Sequence, residues 1–212
     1  YSNMNTKNIF YNTLILSLIV QVITGVIEIG TLLANIKINL LKQLLILEVS
    51  VQAIEGLFYF WIFNNFNQVT NVTPKRYIDW GLTTPTMLIE LILYLIYLKD
   101  KENGADVTKL SFFNLLIENS SNISYVLFLN WLMLIFGYLG EINILDTITG
   151  VVLGFIPFLI YYFIIYVNYA NKSKSGWKLF WYFFSFWSFY GIAALFPYYL
   201  KNAFYNILDL FA

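Results

Sequence analysis

Along the chain, apolar runs of about twenty residues alternate with short polar breaks, and runs of that length suit a bilayer core about 30 Å thick. They predict helices near 10–32, 40–64, 75–98, 121–140, 146–170 and 176–199, with a seventh starting near Asn202. The expected fold class is all-α, a seven-transmembrane-helix bundle in which residues 1–212 form a single membrane domain. The seventh run has eleven residues to Ala212, about 16 Å of helix. That is too short to cross, so the span is expected to continue past the quoted chain. The segment KDKENGADVTKL, residues 99–110, gathers charges around Gly104 and is expected to be a solvated loop. The start, YSNMNTKNIF, is polar and lacks a basic stretch before an apolar one; a trimmed beginning without a signal peptide is expected.

Composition agrees with the pattern. The chain is 59% hydrophobic and only 11% charged, with a formal net charge of +0. It is expected to be a multi-pass integral membrane protein whose first partner is the lipid bilayer. No basic field exists for nucleic acid. With no cysteine and no histidine, thiol chemistry and the commonest metal ligands are missing, so no metal site is expected and proton chemistry falls to carboxylates, lysine or tyrosine. Lys37 and Lys42 fall in the first connection, Lys99, Lys101 and Lys109 in the third, and Lys172, Lys174 and Lys178 in the fifth, whereas the fourth, EINILD, has none. The lysine bias predicts cytoplasmic odd-numbered connections, an outside N-terminus and a cytoplasmic C-terminus.

The polar residues inside the spans carry the chemistry. RYIDWGLTTPTMLIEL, residues 76–91, holds Arg76, Asp79 and Glu90 in an otherwise apolar helix. Asp79 and Glu90 are eleven residues apart, so they share a face about 16 Å apart. Thr83 stands one turn from Asp79, within reach of its carboxylate. Asp209 adds an acid in the seventh run, and a residue four positions further on would share its face. Ionised groups at mid-membrane cost several kcal/mol and normally face an interior site with a partner. Two buried aspartates therefore ask for a cation.

These residues carry a resemblance. RYIDWGLTTP resembles the third-helix motif R-Y-x-D-W-x-x-T-x-P of microbial rhodopsins. MLIFGYLGE (133–141) is similar to the fourth helix of proteorhodopsins, WSFY (187–190) to the sixth-helix retinal wall, and YNILDLFA to the seventh-helix run ending D-x-x-x-K. The resemblance covers all seven spans in order. It implies all-trans retinal, bound covalently as a protonated Schiff base to a lysine following Ala212. It also implies Asp79 as primary counterion and proton acceptor, Asp209 as second counterion, and Arg76 as the gate on the outer side. Trp80, Thr84, Met87, Met133, Gly137, Trp187 and Tyr190 would line the polyene, and the apolar Met87 implies green rather than blue absorption. Two departures stand out. Gly191 replaces the proline that usually follows the sixth-helix tyrosine, and Ala194 stands where bacteriorhodopsin has a tryptophan, so the pocket is expected to be looser at its ring end.

Asp79, Thr83 and Glu90 make the D-T-E motif of proteorhodopsin pumps, with Glu90 as proton donor. The second helix offers more. LEVSVQAIEGLF puts Glu48, Gln52 and Glu55 at i, i+4 and i+7 on one face, and AIE (53–55) resembles the second helix of algal channelrhodopsins. A file of carboxylates attracts cations as a pore wall must. Ser17, Gln21 and Asn206 would complete such a path, with Lys201 and Asn202 at its outer mouth and Glu90 as a cytoplasmic carboxylate. Acidic second helices also resemble the rhodopsins of giant viruses of marine protists, which include light-gated cation channels and proton pumps. The favoured reading is a light-gated cation channel passing protons, Na+ or K+. The runner-up is an outward proton pump. A sensory photoreceptor comes third, because sensory relatives generally lack a carboxylic donor at the Glu90 position. An enzyme is not expected. The resemblance is compatible with a homo-oligomer, although no residue selects a number.

Overall fold

The structure, a computed structural model, describes residues 2–67 and 71–210. The helices are α1 (Ser2–Leu33), α2 (Asn39–Asn64), α3 (Thr73–Glu102), α4 (Phe112–Glu118), α5 (Ser120–Glu141), α6 (Thr147–Asn168), α7 (Lys174–Ala193) and α8 (Tyr198–Leu208). The short α4 lies in the third connection, and the other seven form the bundle. Leu16, Ile19, Ile23 and Ile27 of α1 are exposed, the apolar surface that lipid covers. Among the described residues, α1, α2, α3, α5 and α6 with its extension are long and apolar enough to cross a membrane.

Cross-bundle hydrogen bonds fix the two ends. Near Phe10, Val72, Glu141 and Tyr198 lies what we term the upper end: Val72 N donates to Tyr198 Oη, and Lys201 Nζ to Glu141. At the lower end, Tyr169 Oη donates to Asn119 Oδ1 at 2.9 Å. There the Glu102 carboxylate also accepts from the backbone N–H of Lys174 at 3.1 Å, capping the exposed start of α7.

Three expectations need correction. The run predicted as one helix over 176–199 ends at Ala193, because Pro197 disfavours helical backbone in the residue before it. The seventh helix accordingly starts at Tyr198 rather than Asn202. The expected loop 99–110 is helical through Glu102, and only then gives way to a turn around Gly104 (φ +77°). Charges do not stop a helix that has left the hydrocarbon, and Lys99 and Lys101 suit its negative C-terminal end.

Two local devices shape the core. Pro85 within α3 cannot donate to the carbonyl of Gly81. The indole Nε1–H of Trp131 on α5 donates to that oxygen at 3.1 Å, so the proline is tolerated and α3 is tied to α5. Gly140 and Gly150 let α5 and α6 touch backbone to backbone: a Cβ at position 150 would lie 2.9 Å from Gly140 Cα. Above that contact Asn143 turns the chain with φ 60°, a left-handed conformation that asparagine tolerates.

Candidate functional site: a central cavity and a carboxylate file

A cavity enclosing about 1000 Å³, its open mouth included, runs through the bundle between α3, α5, α6, α7 and α8. All seven residues expected to line a polyene, Trp80, Thr84, Met87, Met133, Gly137, Trp187 and Tyr190, line it together. Sequence reasoning missed Tyr77, Phe155, Phe158 and Tyr205, which also line it. Tyr77 is the tyrosine of the R-Y-x-D-W motif and could have been read from it, whereas nothing in a chain with 17 tyrosines and 20 phenylalanines singles out the other three. The Trp80 ring meets Tyr77, Tyr205 and Tyr190 edge-on at centroid distances of 4.9, 5.2 and 5.7 Å. Such geometry adds about 0.5–1.5 kcal/mol per pair beyond area burial, and holds the indole as a rigid wall.

The expected looseness near Gly191 is filled. A Cβ on Gly191 would lie 2.5 Å from two ring carbons of Phe155, so the Phe155 ring from α6 occupies the space that a side chain on α7 would take. Gly191→Ala is expected to push that ring into the cavity. It should lower stability by about 1–3 kcal/mol and move the visible absorption maximum of the retinal-loaded protein; thermal melting and a spectrum check both.

One end of the cavity is polar. Asp209, directly after α8, accepts hydrogen bonds from the hydroxyls of Tyr59 and Tyr190, and lies 3.6 Å from Arg76 Nη1. Arg76 is 1% exposed. Its Nε donates to Asn202 Oδ1 at 2.8 Å, its Nη2 to Asn206 Oδ1 at 2.7 Å and its Nη1 to Tyr59 at 3.2 Å. Asn202 in turn donates to Thr73 Oγ1, and Asn206 to Thr13 Oγ1 and the carbonyl of Phe10. The guanidinium fork thus joins α2, α3 and α8, and through Asn206 also α1. Tyr59 was not picked out in the sequence, for want of any signal distinguishing it.

Asp79 is 6% exposed and its Oδ1 has no hydrogen-bond partner. Thr83 does not reach its carboxylate. The threonine hydroxyl donates instead to the Asp79 backbone oxygen at 2.9 Å, the ordinary bond of a threonine back to the preceding helical turn. Asn130 on α5 is fully buried and donates to Thr84 Oγ1 at 2.8 Å.

The acidic stripe of α2 faces α1 and α3. Glu90 stands within electrostatic range of Glu48, Glu28 and Glu55 and keeps one buried oxygen without a hydrogen-bond partner, Glu28 on α1 stands within range of Glu48, and Glu55 lies within range of Asp79, Asp209, Glu48 and Glu28. Glu28 was missed, although its setting in ITGVIEIG carries the same signal as Glu90: one acid in an apolar run. Gln52 Nε2 donates to the Gln21 carbonyl, and Gln21 Nε2 to Ser17 Oγ, both at 3.3 Å. Lys201 does not stand with this file. It pairs with Glu141 of α5 at 2.8 Å, on the other side of α3.

The bacteriorhodopsin-like protein family matches residues 12–212. The chain belongs to that family. No curated protein matches it. Among solved structures it is similar to viral rhodopsin OLPVRII, at 25% identity and a TM-score of 0.80, covering 95% of this chain and 90% of that one. The blue light-absorbing proteorhodopsin from Med12 (20% identity, TM-score 0.69, 95% and 88% covered) and Acetabularia rhodopsin I (16%, 0.72, 96% and 88%) share the fold. This microbial rhodopsin is therefore a multi-pass membrane protein of a family of light-driven retinal-binding ion transporters and sensors. The lining fits retinal: it is mostly apolar, includes Trp80 and Trp187, and takes in the buried acids Glu55 and Asp209, while Asp79, one residue before Trp80, keeps an unpartnered carboxyl oxygen that a cation would satisfy. The lysine expected after Ala212 lies outside the described residues.

Proposed function

We propose that this rhodopsin is a light-gated cation channel whose path lies between α1, α2, α3 and α8, with the upper end outside the cell. One observation carries the reading. Carboxyl groups from four elements form a file from Glu28 through Glu48 and Glu90 to Glu55, and on to Asp79 and Asp209, with Glu55 in electrostatic range of both halves. Such a file attracts protons, Na+ or K+ and replaces part of their hydration. Retinal, held as a protonated Schiff base by a lysine following Ala212, supplies light absorption, a change of shape and a dissociable proton.

The residues do the rest. Asp79 takes up a proton at its free Oδ1, while Asp209, held by two tyrosines and Arg76, stays a fixed negative charge. Arg76 closes the upper half in the dark, because a buried guanidinium repels a cation and is held across the route by its bonds to Asn202 and Asn206. Losing those two bonds opens the route.

Current against voltage tests this. A channel current reverses sign with the cation gradient, and Glu55→Gln should change conductance or ion selectivity severalfold. Current that stays outward at every voltage and acidifies the outside would sink the channel. It would favour the second reading, an outward proton pump, which the free oxygens of Asp79 and Glu90, the latter beside Glu48, support as acceptor and resupply sites. In a pump Glu55→Gln should matter little.

A further inference from the structure

At the upper end a polar vestibule of about 650 Å³, its open mouth included, is lined by Asn71, Asn143, Tyr198, Glu141 and Lys201 together with Gly140 and Thr147. Gly140, Glu141 and Thr147 also line the central cavity. The two spaces therefore abut across a single layer of residues. Gly140, and Gly150 opposite it, contribute no side chain to that layer. What stands there is the ion pair. Lys201 Nζ lies 2.8 Å and 2.9 Å from the two Glu141 oxygens, and both side chains are 10% exposed.

We propose that the vestibule is an aqueous port of the central cavity and that the Glu141–Lys201 pair is its latch. Its upper wall carries amide and phenol groups that hold water, and its lower side opens on apolar surface that must stay dry. A pair that spans from α5 to α8 closes when the two helices stand at their resting separation. It parts when α8 moves against α5, admitting water and small water-soluble nucleophiles to the Tyr77 and Tyr205 end of the cavity. This port lies on the α5 side of α3; the cavity behind it is also lined by Glu55 and Asp209, but the latch uses neither, so the inference holds whether the protein conducts or pumps. Lys201, expected at the mouth of an ion path, here guards a different space.

The chain has no cysteine, which makes a single introduced thiol a clean reporter. Val151 lines the cavity one helical turn below Thr147. In the full chain in lipid nanodiscs, where both faces are accessible, Val151→Cys should react slowly with a charged, membrane-impermeant thiol reagent. Adding Glu141→Gln or Lys201→Met should speed the reaction about tenfold or more, since breaking a largely buried pair removes several kcal/mol of closure. The swapped pair Glu141→Lys with Lys201→Glu should restore the slow rate, and Glu118→Gln at the lower end should leave it unchanged. Equal rates in all backgrounds, or a native-background rate matching that of a cysteine at exposed Asn143, would overturn the latch. If the neutral variants do not fold, Glu141→Asp keeps the charge and shortens the arm by one carbon. Its rate must then exceed the native one, and an unchanged rate would also overturn the proposal.

Discussion

Arg76→Gln is expected to destabilise the protein by about 3–5 kcal/mol, the usual cost of leaving one partner of a buried pair uncompensated. Three consequences of the one substitution combine. Asp209 loses the cation 3.6 Å away, and Asn202 Oδ1 and Asn206 Oδ1 lose donors at 2.8 and 2.7 Å. The rings of Tyr59 and Tyr205, each 5.5 Å from the guanidinium carbon, lose a cation–π partner. Lysine would not rescue it, because a single ammonium on a flexible stem cannot serve three directions as a planar fork does. For a chain of this size the loss corresponds to a fall in Tm of about 6–20 °C, readable by circular dichroism of the solubilised protein. A Tm unchanged within experimental scatter would mean that the network is not holding α3 to α8.

Asp79→Asn is expected to do the opposite: little to stability, nearly everything to function. The amide is isosteric, and the carboxylate makes no hydrogen bond through Oδ1 that would be lost. Melting should therefore change by no more than about 1 kcal/mol. An amide cannot take up a proton, however, and the loss of a positioned proton acceptor costs about 10²–10⁴-fold in rate. Light-driven charge movement, recorded as photocurrent after a flash, should fall by at least about 100-fold while visible absorption is retained. A variant that keeps its current would remove Asp79 from the acceptor role.

How much of this was legible in the residues depended on cost. Asp79, Glu90, Asp209 and Glu55 stood out because a carboxylate in an apolar run is expensive and needs a reason. By the same logic Glu28 was there to be read. Tyr59 was not, because a tyrosine costs little in a membrane helix, and its role comes only from α2 standing against Asp209. Asn202 and Asn206 were visible as polar groups, but their function was not: the sequence suggested a wet path, whereas their amides are consumed in holding Arg76 and the neighbouring helices. Helix α4 stayed hidden because seven residues beside a charged turn show too short a period to stand out. The end of α7 was obscured because apolar residues continue through the turn at 194–197, so hydropathy alone could not mark it.

The meeting of Phe155 with Gly191 sets what α7 can do mechanically. A ring seated where a Cβ would be is expected to resist sliding of α7 along its axis more than tilting about the contact, as an axle does. Position 191 is near the upper end of a helix that begins at Lys174, so the lower arm is roughly 25 Å long at 1.5 Å per residue. A tilt of about 5° there carries the lower end some ~2 Å, enough to part Lys174 from Glu102, while the upper end scarcely moves. A disturbance beside Trp187 is thus expected to be geared up into displacement at one face of the membrane.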